Sequence, residues 1–250
     1  MSPITLRFRH SALTHEPVQL SPPEIWAVAR NLRAQLTDDP LQRKLDLSRI
    51  EEQGERLDVN DIRFGVVWDF DHAVRNAEGE EVLGVTEYAE STPLHVLVSI
   101  NGPRLRGSDT LLRSTVAHEL GHVIFDAPSW MVSRQSPYMQ AASTEAPTVS
   151  AGWDPMEVRA NEFMGALLVP PAPIRVDFLR LVKRQRLSLS PKPSQVISGA
   201  PAIDGEIIEA ETATEILFNL AELYGVSESF MRVRLSRYDL LRTPRPITLH

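Results

Sequence analysis

The sequence predicts an α+β fold, a small mixed sheet flanked by helices and followed by a separate helical module towards the C-terminal end. Three observations carry this. Two short β-branched runs, Arg63–Asp69 (RFGVVWD) and Leu94–Ile100 (LHVLVSI), are bounded by turn residues and read as strands. Several longer stretches repeat apolar residues every three or four positions and open on capping residues or prolines, as amphipathic helices do. The 250 residues are 42% hydrophobic and 24% charged, enough apolar mass for a real core.

Taken in order, residues 1–23 hold several prolines and no clear period, so they read as an extended arm or an edge strand. Pro22 and Pro23 open a helix, about Pro23–Leu36, with Ile25, Val28, Ala29, Leu32 and Leu36 on one face. Residues 41–57 read as a second, charged helix ending near Gly54. Between the two strands, Ala73–Gly84 reads as an exposed turn and Val85–Tyr88 as a further strand. Asn101-Gly102-Pro103 closes the sheet region. Ser108 or Asp109 then caps a helix running to Phe125, which Asp126-Ala127-Pro128 stops. Residues 129–154 lack periodicity, and AASTEAPTVSAG within them reads as a mobile loop, uncommon inside a compact domain unless functional or disordered. Asp154 caps a helix with Pro155 in its first turn, ending at Val169-Pro170-Pro171. A basic amphipathic helix follows, about Ala172–Arg186. The expected organisation is a main domain over 1–187, a Ser/Pro-rich linker over 188–205 and a helical module over 206–250. The module reads as Glu209–Tyr224, a Gly-Val-Ser turn and Glu228–Leu241.

The chain has no cysteine, which excludes disulfides, thiolate ligands and a Cys nucleophile, so a metal site must use His, Asp or Glu. MSPITLRFRH has no apolar stretch of the kind a secretory leader needs. The longest apolar stretches, His95–Ile100 and Ala166–Pro173, are far too short to span a bilayer. A cytoplasmic protein without a membrane partner is the expectation. The net charge of −7 is uneven: residues 171–250 carry eleven Lys/Arg against nine Asp/Glu, leaving fifteen and twenty-four for the rest. So acidic a main body argues against a nucleic-acid enzyme. The basic character concentrates in Arg232, Arg234, Arg237, Arg242 and Arg245, which also fit a solvated helix face.

The chemistry is carried by His118-Glu119-Leu120-Gly121-His122, an H-E-x-x-H pattern inside an apolar helix. Residues four apart lie one turn above each other, so both imidazoles can reach one cation at about 2 Å, the Zn–N distance. Glu119 lies roughly 100° around the helix, so its carboxylate passes beside the metal and can take a proton from water there. A buried histidine pair beside an unpaired glutamate would be costly without a metal.

Two histidines leave a catalytic zinc one protein ligand short. The helix WDPMEVRANEFMGALLVP offers Glu157 and Glu162. Glu157, Asn161, Met164 and Leu168 share one face, and Glu162 is turned away from it. If this helix packs on the His118–His122 helix, Glu157 faces the metal, and Asn161 can accept a hydrogen bond from a ligating histidine. Alternatively, Glu157 is only a first-turn acid favoured by the helix dipole.

HELGHVIF followed by EVRANEFMGALLVP resembles the ImmA/IrrE family of metallo-endopeptidases, strongly over about 108–170, moderately over 213–242 and weakly elsewhere. The resemblance implies a gluzincin-like, zincin-like domain holding one zinc ion through His118, His122 and Glu157, with Glu119 as general base and Asn161 in support. It also implies a protein substrate, a transcriptional repressor cleaved in a stress or mobile-element response. Met164-Gly165 and the length of 129–154 depart from the family pattern, which puts the substrate groove in doubt and not the metal site.

The chemistry expected is peptide hydrolysis, with zinc polarising the scissile carbonyl and Glu119 moving the proton from water to the leaving amine. His95–Ile100 is expected to be an edge strand on which an extended peptide adds. Tyr138, His95 and Tyr88 are the candidates for stabilising the developing oxyanion or contacting substrate. The alternative function is a DNA- or protein-binding transcriptional regulator. Ala221-x-x-x-Gly225 and Ser227 opening a basic helix resemble a helix-turn-helix, with Arg232, Arg234 and Arg237 available to DNA. The same segment also reads as a plain helical bundle with Leu217, Leu220, Leu223, Val226, Met231 and Leu235 as its core. A metal-free or purely structural site is a third possibility, though a structural zinc has no need of Glu119.

Overall fold

The structure is a computed structural model that describes residues 3–37, 39, 42–53, 56–76, 79–88, 91–92, 94–133, 139–140, 154–185, 190–191, 201–204 and 210–242. The chain forms two compact units, Met1–Leu168 and Val169–His250. The chain is α+β, as expected. The segment AASTEAPTVSAG, Tyr138 and Arg245 lie outside the described residues.

The first unit runs β1 (Ile4–Leu6), α1 (Pro22–Leu36), α2 (Ser48–Gln53), β2 (Leu57–Val59), β3 (Ile62–Asp69), β4 (Gly84–Tyr88), β5 (His95–Ile100), α3 (Gly102–Leu105), α4 (Asp109–Phe125), α5 (Ala127–Ser133), β6 (Met139–Gln140) and α6 (Pro155–Leu168). Its strands form one mixed sheet in the order β1-β2-β3-β5-β4-β6. The pairs β1/β2 and β3/β5 are parallel, and the other pairs are antiparallel.

This order overturns the expectation that His95–Ile100 is an edge. β5 is hydrogen-bonded to β3 on one side and to β4 on the other, so both rows of its backbone groups are already paired and no peptide can add to it. The edges of the described sheet fall instead on β1 and β6. On β1 the side-chain amide of Gln35 stands in for a neighbouring strand: it accepts from the Thr5 N–H at 2.9 Å and donates to the Thr5 carbonyl at 3.0 Å.

Strand alternation divides the sheet into two faces. Val96, Val98 and Ile100 are fully buried and oppose Tyr88, Thr86 and Gly84 in the register, so all six share the face on which α4 packs. His95, Leu97 and Val67 lie on the other face and are exposed there. Ala73–Gly84 is not the exposed turn expected. Val74 and Val82 fold back onto Val85 in a small buried cluster, helped by a bridge between Arg75 and Glu81. The charged stretch 41–57 is helical only over Ser48–Gln53 among its described residues, because Leu57–Val59 is taken into the sheet as β2.

α1 buries Ile25, Val28, Ala29, Leu32 and Leu36, the face its spacing predicts. It packs on α6, which in turn packs on α4. Phe163 of α6 is fully buried and meets Phe125 of α4 edge-on at 5.6 Å and 84°. Truncation by Phe163→Ala is expected to cost about 3–5 kcal/mol of stability, read from the denaturant midpoint. A loss under about 1 kcal/mol would mean that this contact does not hold the helices together.

The second unit runs α7 (Pro171–Arg184), β7 (Ser190–Pro191), β8 (Pro201–Asp204), α8 (Ala210–Tyr224), α9 (Glu228–Arg237) and β9 (Leu241–Arg242). The stretch read as a linker thus contributes two short strands, which join β9 in a sheet of order β7-β8-β9. α7, counted with the main domain on sequence, packs on α8, where the buried Tyr224 hydroxyl donates to Asp177 at 2.9 Å. Gly225, at φ +64, makes the turn into α9, where the Ser227 hydroxyl accepts from the Phe230 N–H. Leu217, Leu220, Val226, Met231 and Leu235 are buried as the bundle reading requires, whereas Leu223 is 45% exposed. Arg234 is not available to DNA. It is buried, donates to the Tyr238 hydroxyl at 2.9 Å and lies over the Tyr238 ring. Arg232 and Arg237 are exposed. No helix among the described residues is long and apolar enough to cross a membrane.

Candidate metal centre

α4 brings its histidines to one point because it is buried all round beyond its first turn, from Arg113 to Phe125. His118 is 5% exposed, and His122 and Glu119 are fully buried. α6 crosses beside them. The two helices approach closely at Gly121, where a Cβ would lie 2.9 Å from the Ala160 Cα. One unconstrained position of H-E-x-x-H is therefore fixed as glycine by the backbone of the facing helix. Gly121→Ala is expected to push α6 outward, costing about 1–3 kcal/mol of stability, and to weaken metal uptake through Glu157. Unchanged melting and metal content in that variant would show that the close approach is dispensable.

The approach places Glu157 against both imidazoles. His118 Nε2 and His122 Nε2 are 3.2 Å apart, His122 Nε2 is 3.2 Å from Glu157 Oε1, and His118 Nε2 is 3.4 Å from Glu157 Oε2. Three ligands bonded at 2.0–2.2 Å in a tetrahedron would be separated by about 3.3–3.6 Å. The spacings found, which run to both oxygens of Glu157, are close to this, and the three side chains could hold a metal ion. Glu157 Oε2 has no hydrogen-bond partner although it is buried.

The far nitrogens of the imidazoles are held too. His118 Nδ1 lies 3.2 Å from Asn161 Oδ1, the contact anticipated for Asn161. His122 Nδ1 lies 2.8 Å from Asp126 Oδ2. Since both partners are acceptors, each ring donates through Nδ1 and turns an Nε2 lone pair to the shared point. Burial alone would lower the pKa of His122 and raise that of Glu157. The hydrogen bonds that His122 makes to the Asp126 and Glu157 carboxylates outweigh it and raise His122, and the two imidazoles lower Glu157.

Glu119 stands apart from these ligands. Its Oε2 accepts from the Thr86 hydroxyl at 2.7 Å, and its Oε1 is buried with no partner. Gly84, on the same face of β4 as Thr86, leaves room for the carboxylate: a Cβ there would lie 2.9 Å from Oε1. Burial raises the pKa of Glu119 against the opposing influence of the two histidines and Thr86.

Among the other candidates, Glu162 is turned to α1 and accepts from Trp26 Nε1 at 2.6 Å. Tyr88 shares the β4 face of Thr86 and Gly84, while His95 is on the opposite face of the sheet. That removes His95 as an oxyanion or substrate contact, because the one-residue alternation of β5 turns it away from Glu119. Three contributors were not found from sequence. Asp126 reads as a helix stop, although its spacing of four from His122 is a signal. Arg159, which pairs with Asp126, sits two positions from Glu157, a spacing that predicts no shared face. Thr86 is reachable only through the sheet register. Searches of family models, of curated proteins and of solved structures find no match to this chain.

Proposed function

We propose that this protein is a zinc-dependent endopeptidase with a zincin-like catalytic unit of the ImmA/IrrE type. The observation that carries the reading is the cluster of His118, His122 and Glu157, whose imidazole nitrogens and carboxylate oxygens lie 3.2–3.4 Å apart, with a separate carboxylate, Glu119, beside it. The donor set of two imidazoles and one carboxylate suits zinc, whose catalytic sites use three protein ligands and leave one position open. A bound zinc ion would supply Lewis acidity, polarising a peptide carbonyl and lowering the pKa of water. Glu119 takes the proton from water through Oε1 and delivers it to the departing amine. Thr86 keeps Oε2 occupied, so that the carboxylate presents one oxygen to the reaction. Burial raises the pKa of Glu119, and a raised carboxyl suits a group that must both accept and return a proton near neutrality.

β4 is paired with β5 and β6 and is no more open to an added strand than β5, but its buried face carries Thr86 and borders Glu119. Tyr88, farther along the same strand face, remains the oxyanion or substrate contact to test. A transcriptional repressor as substrate, cleaved in the cytoplasm under stress, rests on the family resemblance of HELGHVIF and EVRANEFMGALLVP. A DNA-binding regulator is the weaker reading, because Arg234 is spent inside the C-terminal unit.

The test is digestion of a diverse peptide library by purified protein, with products read by mass spectrometry. Cleavage that a chelator abolishes and zinc restores is the expected result. Protein carrying one zinc per chain that cleaves no peptide would overturn the endopeptidase reading.

A further inference from the structure

We propose that the buried Asp126–Arg159 ion pair is a positioning device, which aims His122 at the metal point and ties the end of α4 to the start of α6. The inference rests on the reading of His118, His122 and Glu157 as metal ligands and gives that site a part that H-E-x-x-H does not contain.

His122 is fully buried, and its Nδ1 contacts only Asp126, at 2.8 Å, among the hydrogen bonds found for that atom. Asp126 is itself fixed. Its backbone N–H donates to the His122 carbonyl at 2.9 Å, and its own carbonyl accepts from the Ser129 hydroxyl at 2.8 Å. Its side chain is 3% exposed, and its second oxygen, Oδ1, accepts from Arg159 Nη2. A carboxylate so buried is tolerated only with a charged or strongly hydrogen-bonding partner. Arg159 provides that partner from α6, two residues from Glu157. A single ion pair thus joins the carboxylate behind one ligand to the helix that carries another.

The two imidazoles are held unequally. His118 rests against the neutral amide of Asn161 at 3.2 Å, and His122 against a charged carboxylate at 2.8 Å. A charge-assisted hydrogen bond is shorter and roughly twice as strong as a neutral one. An acceptor of this kind behind a ligating histidine fixes its orientation and makes the ring a better donor. The asymmetry makes His122 the better-anchored ligand, held in place whether or not a metal is bound.

Loss of such an outer partner typically weakens metal binding 10–100-fold. The experiment measures the zinc dissociation constant of the full chain by competition with a chromophoric chelator. It also records the visible spectrum of the cobalt(II)-loaded protein and the melting temperature of metal-free protein. Asp126→Asn should weaken zinc by that factor and shift the cobalt bands, but it also strands the Arg159 charge. The double variant Asp126→Asn/Arg159→Met removes that charge and is expected to recover thermal stability while zinc stays weak. It also carries the test if the single variant does not fold. Zinc affinity in the double variant within twofold of wild type would overturn the inference, since the pair would then serve packing alone. A wild-type chain that takes up no zinc would overturn the metal reading itself, a different failure that the same titration distinguishes.

Discussion

Glu119→Gln is expected to lower peptide hydrolysis by roughly a thousandfold, within the ~10²–10⁴ that a positioned acid–base group contributes, while zinc content stays at that of wild type. The amide keeps the shape of the side chain and can still accept from Thr86, so helix packing should survive. It cannot take a proton from water. The decisive comparison is elemental analysis beside initial rates on one cleaved peptide. A variant that keeps zinc and more than about a tenth of the rate would remove Glu119 from the proton path. A variant that loses zinc would make Glu119 a ligand, against its separation from the cluster by a bond to Thr86.

Glu157→Ala should act on the metal first and on the rate only as a consequence. Three protein ligands become two, and the imidazoles lose the carboxylate that lies 3.2 and 3.4 Å from them. Zinc affinity is expected to fall by more than about a hundredfold, beyond the effect of losing an outer partner. Activity measured at trace zinc should vanish with it and recover in part when zinc is added in excess. Equal zinc affinity in variant and wild type would show that Glu157 is only a first-turn acid. The pair of variants separates two roles that activity alone would merge.

The sequence made some of this legible and hid the rest for physical reasons. The buried face of α1, the pairing of His118 with His122 and that of Glu157 with Asn161 follow from helical spacing, which is local, whereas bringing the two pairs together needed the packing of α6 on α4. Strand order is not local: the alternation in LHVLVSI marks a strand without saying what lies on either side of it, and β5 proved to be interior. Turning His95 away from Glu119 needed the pairing of β5 with β4. Asp126 was hidden by an ambiguity, since aspartate before Ala-Pro is also a sound helix terminator. Arg159 reaches Asp126 by the length of its side chain, which helical periodicity does not encode. Leu223 and Arg234 exchange the places that polarity would assign, because the Tyr238 ring and hydroxyl give the arginine a partner inside.

The amide of Gln35 against Thr5 has a consequence for the company this protein keeps. A sheet that ends on an open strand advertises a template to any chain with matching backbone groups, including another copy of itself or a half-made one. Here a single side chain answers the N–H and the carbonyl at the middle of β1. Solitude at that border is secured by one residue of a helix laid alongside, with no additional strand to fold.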